Sequence, residues 1–472
     1  MTNWMPDIAG LDGPLYVRLA DGIERDIVSG ALPAGAKLPP QRNLAFDIGV
    51  TVGTVSRAYA LARERGLVSG EVGRGTFVAG ASRTPSGGEP HWYPKPAASE
   101  TSGDDGTIRF DSSAAFSDRS YAQMSAILAE ILREGDDRIT DYVRGVRPDW
   151  QRAGARWIAT GAGWEPEPER IVPVHGAHGG IMAVIAAMTS PGDLIAVEAL
   201  TYGTVPRSAH LIGRRTASIA VDDKGIVPDS LDNLCAQQHP KLIFVMPAVH
   251  NPLTIAMPED RRRAVVDIAR RHNLWIVEDS LYGSLDRDPH TPFAALAPER
   301  TFHVSGLSKA AAAGVRGGWL ACPPALTSRV SASHKLLTGG KSFVMTELAA
   351  RMVLSGAAEA LRADVRAETM SRLAIVRDVF AGCDFNSRDH VPFVWLRLPE
   401  PWLSGTFKAA ALDENIRIDD EDEFKAGRGD TRLHGVRIAF ASTIKDEAVL
   451  QQGVRTLRRL LDSGPAAYHS YN

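Results

Sequence analysis

Residues 79–107, AGASRTPSGGEPHWYPKPAASETSGDDGT, constrain what this chain can fold into more than any other stretch. Gly, Pro, Ser and charge dominate them and apolar periodicity is slight, the composition of a linker rather than of a packed element. They predict a flexible connection over 80–107, with one folding unit before it (10–79) and a larger one after it (108–462), whose last part, roughly 345–462, is a smaller subdomain. A length of 472 residues with 44% hydrophobic content is enough for two or three domains with cores of their own.

In the shorter unit, PLYVRLADGIERDIVSGAL sets Leu15, Leu19, Ile23 and Ile27 at helical spacing, with Gly30 as the stop. LPPQRNLAFDIGV predicts a short helix from Pro40 to Ile48 ended by Gly49. TVGTVSRAYALARERG predicts a second helix, capped by Thr51 and stopped by Gly66. Two helices joined through a Gly turn form a helix-turn-helix candidate. The second helix is expected to bury Val52, Val55, Tyr59 and Ala62, leaving Gly53, Thr54, Ser56 and Arg57 on the early exposed face that enters a major groove in such motifs. LVSGEVGRGTFV then predicts a β-hairpin whose tip carries Arg74 toward a phosphate or a minor groove.

Charge separates the units. The formal net charge of −3 argues against coating nucleic acid through bulk charge. Residues 37–74, however, hold six Lys/Arg against three acids, the local balance a DNA reader requires. A small helical accessory unit with a solvated basic face would satisfy the same periodicity. The run from Tyr16 to Val78 resembles a GntR-family winged helix-turn-helix, through its G-x-L-x-x-G-x-x-L-P, R-x-L-A, G-V-T-x-x-T-V-x-R-A-Y and G-R-G-T-F-V elements. That resemblance implies DNA contacts from Arg42, Thr54, Ser56, Arg57 and Arg74, with Val52 standing where the family commonly has an arginine.

Three widely spaced cysteines, Cys235, Cys322 and Cys383, have no CxxC or Cys/His pattern, so neither a disulfide framework nor a zinc site is indicated, and a reducing cytoplasm fits best. The opening MTNWMPDIAG lacks a basic-then-apolar leader, and no apolar run approaches the roughly 20 residues a membrane helix needs. A soluble cytoplasmic protein is expected.

Beyond the linker, apolar strand-like runs alternate with helical patterns, the α/β signature. RIVPVHGAHGGIMAVIAAM is a strand, a Gly-rich turn and a helix. It sets Gly176, Ala177 and His178 where backbone N–H groups receive a phosphate, or is simply a tight turn. KLIFVMPAVHNP is a buried strand ending in Asn251-Pro252, and NLWIVEDSLYG another ending in Asp279, with Tyr282 close behind. Ligands of open α/β sheets lie beyond the carboxyl ends of the strands. A carboxylate there suits a protonated ring nitrogen, and an amide and a phenol suit a ring hydroxyl. Taken singly, Asp279 reads equally as a helix cap, Tyr282 as core and Asn251-Pro252 as a turn. A third run, TFHVSGLSK, ends in Lys309 and is followed by Arg316, whose guanidinium suits a phosphate dianion.

The order of phosphate turn, Asn, Asp, Tyr, Lys and Arg resembles the fold-type I class I aminotransferases that use pyridoxal 5′-phosphate (PLP), across roughly residues 108–462. The resemblance implies that Lys309 is the catalytic residue and forms the internal aldimine. It further implies that Asp279 pairs with the pyridinium nitrogen, that Asn251 and Tyr282 contact the ring oxygen, and that Tyr202 stacks on the ring. Gly176, Ala177, His178, Ser308 and Arg316 are the implied phosphate ligands, with Tyr142 reaching the phosphate of a neighbouring subunit. Arg437, in GVRIAFAS, matches the arginine that clamps a substrate α-carboxylate; the plainer alternative is a surface arginine on a strand. Arg207 is a further anion-binding candidate that reads more simply as solvated. Some positions depart from the pattern. Gly306 stands where the family usually has a serine, leaving Ser305 as the displaced alternative; HGAHGG replaces an SGAQQ-like turn; and IRFDSSAAFSDRSY lacks the family's Gly-Pro-Asp start.

A GntR winged helix followed by such a region is similar to the MocR subfamily of transcriptional regulators. The resemblance implies an N-terminal winged helix-turn-helix plus a fold-type I aminotransferase-like α/β domain, with a mixed, mostly parallel sheet flanked by helices and a smaller C-terminal α+β part. It implies a homodimer on double-stranded promoter DNA, holding PLP and sensing PLP, an amino acid or an amine through an aldimine at Lys309. Two alternatives stay open: a working aminotransferase with an accessory DNA-binding domain, and a regulator that no longer binds cofactor.

Overall fold

A computed structural model describes residues 4–6, 14–33, 35–65, 67–71, 75–78, 106–114, 118–287, 290–426, 434–440 and 446–469. The chain forms two compact units, Met1–Ser99 and Glu100–Asn472. In the first, helices α1 (Leu15–Val28), α2 (Gln41–Asp47) and α3 (Val52–Glu64) precede an antiparallel hairpin, β1 (Val68–Glu71) and β2 (Gly75–Val78). Val55, Ala58, Tyr59 and Ala62 form one helical stripe on α3, fully buried against Leu19 and Ile23 of α1 and Leu44 of α2. Val52 is off that stripe. It is 44% exposed at the first turn of α3, beside exposed Gly53, Ser56 and Arg57, which corrects its expected burial.

Gly49 adopts φ 66°, a left-handed turn between α2 and α3 that a side chain would oppose. Thr51 caps α3 by accepting the Thr54 N–H at 3.2 Å. Arg65 bonds Asp21 at 2.5 Å and Glu24 at 2.8 Å, tying the end of α3 to α1. Gly66, the hairpin tip with Arg74, and the linker except residues 106–107 lie outside the described residues.

The second unit is built on a seven-stranded sheet. Its spatial order is Ile171–His175, Gly317–Ala321, Thr301–Gly306, Trp275–Asp279, Leu242–Val245, Leu194–Glu198 and Arg215–Ile219. Six strands run parallel, and Gly317–Ala321 is antiparallel to both neighbours. Runs such as LIFV and GGWLA are buried at every position because helices cover both faces of the sheet. The helix Gly176–Met188 is apolar nearly all round for the same reason. A smaller antiparallel sheet, ordered Phe385–Asn386, Phe393–Arg397, Gly435–Ala439 and Asp419–Asp420, carries its own core with Trp402, Phe407 and Phe440. Ile108–Arg109 pairs with Ile416–Arg417, which brings residues 110–114 back over the large sheet's carboxyl edge. None of the described helices is long and apolar enough to cross a membrane.

Candidate functional site

On the first unit, Arg42, Ser56 and Arg57 are exposed on α2 and α3, and Thr54 is half-buried, its hydroxyl 2.9 Å from that of Thr51. Neither Arg42 nor Arg57 forms an ion pair among the described residues, so both guanidinium groups are available to phosphates. Their anchor is internal: the buried Tyr59 hydroxyl donates to the Pro39 carbonyl at 2.8 Å, fixing the start of α2 against α3.

In the second unit a cavity of about 430 Å³ opens where the parallel strands end. Lys309, Asp279, Asn251, Tyr282, Tyr202, Gly176, Ala177, His178, Ser308, Arg316 and Arg437 all line it. Five strand ends supply most of them: Gly176, Ala177 and His178 after His175, Tyr202 after Glu198, Asn251 after Val245, Asp279 as the last residue of its strand with Tyr282 after it, and Ser308 and Lys309 after Gly306. Arg316 enters from the antiparallel strand, which begins at the same edge. Tyr142 is 82% exposed and does not line this cavity.

Lys309 Nζ donates to Ser113 Oγ at 3.2 Å, and that oxygen lies 2.5 Å from the Tyr282 hydroxyl. Tyr282 is both core and site: its ring packs edge-on to Phe393 at 5.0 Å, with the lysine ammonium 5.3 Å from its centre. Asp279, 9% exposed, accepts the Leu281 N–H on Oδ1, while Oδ2 has no hydrogen bond among the described residues. Burial raises its carboxyl to about 6 against the opposing pull of that N–H, Lys309 and His303. Behind it, burial raises the fully enclosed Glu198 to about 8, and His250 is 3.6 Å away.

At the phosphate-type turn, Gly176 has φ 66°, and a Cβ there would sit 3.5 Å from the Arg316 guanidinium carbon. Arg316 makes no ion pair among the described residues and stands beside the N-terminus of Gly176–Met188, where unpaired N–H groups favour an anion. The His178 ring braces Tyr202 edge-on at 6.0 Å, and its buried Nδ1 has no hydrogen-bond partner among the described residues. Burial, with Arg316 nearby, lowers the His178 pKa. These features fit a phosphorylated pyridine aldehyde: a cation without an ion pair and an amide cradle for the phosphate, an amine for the aldehyde, and a buried carboxylate with an open oxygen for a ring nitrogen.

Gly306 has a steric cause. A Cβ there would lie 2.8 Å from the Gly317 carbonyl oxygen, so the adjacent strand excludes a serine. Ser305 is buried in its strand and does not line the cavity, so the displaced hydroxyl is not a phosphate ligand. Arg437 is 7% exposed, not a surface arginine. Nη1 donates to Asn251 Oδ1 at 2.9 Å, and Nη2 donates to Asp419 Oδ2 at 2.5 Å and to the Asp111 carbonyl at 3.3 Å. Arg207 lines the cavity, half-buried and 3.4 Å from Glu423, rather than solvated. Sequence reasoning missed Ser113, Asp111, Asp419 and Glu423 as lining residues. For Ser113 and Asp111 a signal existed in the atypical IRFDSSAAF run; for the others none did, because strand pairing alone brings them in.

Residues 15–78 match the family of bacterial regulatory proteins of the gntR type, and residues 115–388 match Aminotransferase class I and II. The "Uncharacterized HTH-type transcriptional regulator YdeF" of Bacillus subtilis is 30% identical over 98% of this chain and 97% of its own. The "Probable rhizopine catabolism regulatory protein MocR" of Rhizobium meliloti is 26% identical over 67% of this chain and 66% of its own. Among solved structures, an α-aminoadipate aminotransferase from Thermus thermophilus, complexed with N-(5′-phosphopyridoxyl)-L-leucine, has a similar fold. Its TM-score is 0.66 at 20% identity, over 76% of this chain and 93% of that one.

Proposed function

Because the chain belongs to the MocR subfamily of GntR-type, helix-turn-helix transcriptional regulators carrying a class I and II aminotransferase domain, we propose that it holds PLP at Lys309 and reports PLP, an amino acid or an amine to promoter DNA. That it is a DNA-binding regulator follows from its family; the cofactor, ligand and residue roles are our reading. In that reading the chain is a winged helix-turn-helix over 10–79, a linker over 80–107 and an effector domain over 108–462 with a subdomain from about 345, working as a homodimer in the cytoplasm. Arg42, Thr54, Ser56, Arg57 and Arg74 contact DNA. Tyr142 serves the neighbouring subunit's site.

The observation that carries the proposal is the grouping, in one cavity, of an amine, an unpaired guanidinium at a helix N-terminus and a buried carboxylate that makes no ion pair among the described residues. When bound, PLP supplies an electrophilic carbon for amines. Gly176, Ala177, His178, Ser308 and Arg316 would hold its phosphate, Asp279 its ring nitrogen, and Asn251 and Tyr282 its ring oxygen, with Tyr202 on its face. A ligand shifts DNA binding only through unequal affinity for two arrangements of the protein.

The full chain mixed with PLP is expected to show a visible absorbance band that Lys309→Ala lacks; no band in the wild type overturns the cofactor reading. Retention of promoter DNA is expected to be sequence-selective and salt-dependent, and Arg57→Ala to weaken it. A second reading, a working aminotransferase, draws on the Lys309–Ser113–Tyr282 contacts, which leave the lysine amine placed to take up and return a proton. Turnover of an amino acid to its keto acid would favour it.

A further inference from the structure

We infer that Asp419 fills the carboxylate clamp from within, so that the cavity selects a diamine, whose far end donates hydrogen bonds, over an α-amino acid. This rests on reading Lys309 as the residue that carries PLP.

Three observations lead there. Arg437 is committed: both Nη2 protons are taken, by Asp419 Oδ2 at 2.5 Å and the Asp111 carbonyl at 3.3 Å, and Nη1 serves Asn251. Its faces lie against Phe424 at 4.8 Å and Phe393 at 5.5 Å, and Nε is buried away from solvent. A bidentate carboxylate pair needs two parallel N–H groups free at once, and the guanidinium offers the cavity no such pair.

Asp419 is also held in place. It faces Arg437 directly across two antiparallel strands. The segment that follows is stitched to the loop after Glu198: Thr201 donates to the Phe424 carbonyl at 2.8 Å, Ala426 to the Ala199 carbonyl at 3.3 Å, and Leu200 bridges Lys425. Gly203 lets this segment close in, since a Cβ there would lie 2.1 Å from the Glu423 carbonyl oxygen. The backbone carrying the carboxylate therefore has no slack to withdraw.

Finally, the acceptor beside Arg437 is open. Asp419 Oδ1 has no hydrogen bond among the described residues, whereas the other two carboxylates of this wall are taken, Asp111 by Arg109 and Glu423 by Lys408 and Arg207. Burial, with Asp111 and Glu423 adding to it, raises the Asp419 pKa against the pull of Arg437. An α-carboxylate arriving at Arg437 would meet a like charge already on that guanidinium, whereas an ammonium finds a vacant acceptor in Asp419 Oδ1.

The test is calorimetric titration of the PLP-loaded full chain with putrescine, L-alanine and L-glutamate, with promoter-DNA retention as a second readout. Putrescine is expected to bind at least about tenfold more tightly than either amino acid and alone to change DNA retention. Asp419→Asn, and Asp419→Ser as a smaller variant, should narrow or reverse that ratio. Equal or tighter wild-type binding of an amino acid overturns the inference, as does absence of binding by putrescine. The loading band separates the two levels: a chain that shows it and prefers amino acids refutes only the diamine, while one that never shows it refutes the cofactor reading as well.

Discussion

Replacing Asp279 by asparagine should make the unloaded protein more stable at neutral pH while weakening its hold on PLP. Asp279 is almost completely buried, and its carboxyl is raised from 3.8 to about 6 chiefly by burial. The unfolded chain keeps the ordinary carboxyl value near 4. The folded state therefore binds the extra proton between those values. The stabilising contribution is fully present below about pH 4 and is lost as pH rises through about 6. Roughly two pKa units correspond to about 3 kcal/mol, the net cost of keeping this charge buried at pH 7 after the opposing pull of the Leu281 N–H, Lys309 and His303.

Asparagine retains the acceptor for the Leu281 N–H and removes the charge. The stability difference, variant minus wild type, should accordingly climb by about 3 kcal/mol between pH 4 and pH 7 and level off above. Urea unfolding of the unloaded chain across that range measures it. Tryptophan fluorescence suits the purpose because seven of the nine tryptophans, all but Trp4 and Trp92, lie in the second unit. A difference that stays flat with pH would refute the reasoning, since Asp279 would then titrate alike in both states. The loaded proteins should reverse the order at pH 7, the wild type gaining more from PLP than the variant.

Other substitutions probe the scaffold. Thr51→Ala removes the cap on α3 and should lower the stability of the first unit by about 1 kcal/mol, read by amide exchange in that helix. Tyr59→Phe leaves the Pro39 carbonyl without its donor at a loss of about 1–2 kcal/mol, and, by loosening α2 against α3, should weaken DNA retention without touching an exposed residue. Gly203→Ala drives a methyl into the Glu423 carbonyl and should destabilise the second unit by about 1–3 kcal/mol in thermal unfolding, with ligand affinity falling alongside.

Much of the fold was legible where periodicity is long and strands are apolar throughout. Val55, Tyr59 and Ala62 announced the buried face of α3, and LIFV and WIVED announced strands covered on both faces; Asp279 ends its strand as expected, whereas the LIFV strand stops at Val245 and Asn251 follows in the loop after it. Val52 misled because at the first turn the apolar stripe has not yet begun, so an apolar residue there faces outward. Arg437 was visible as a residue but not in its partners. Which carboxylate stands opposite it is a matter of strand register between Asp419–Asp420 and Gly435–Ala439, and single-sequence patterns do not encode register between short strands. Ser113 reaches Lys309 because a two-residue strand at 108–109 pairs with one at 416–417, a contact no local pattern announces. Gly306 seemed a missing hydroxyl until the adjacent strand gave it a steric reason.

Arg437 reaches back 326 residues to bond the Asp111 carbonyl, so the cavity wall is joined from both ends of the large unit. A ribosome adding about 5–20 residues per second needs roughly 16–65 seconds to cover that span. The last strand of the first unit, ending at Val78, has been made before the interval begins. Each new chain thus passes through a period in which its helix-turn-helix unit has been synthesised and the cavity at Lys309 has not been closed.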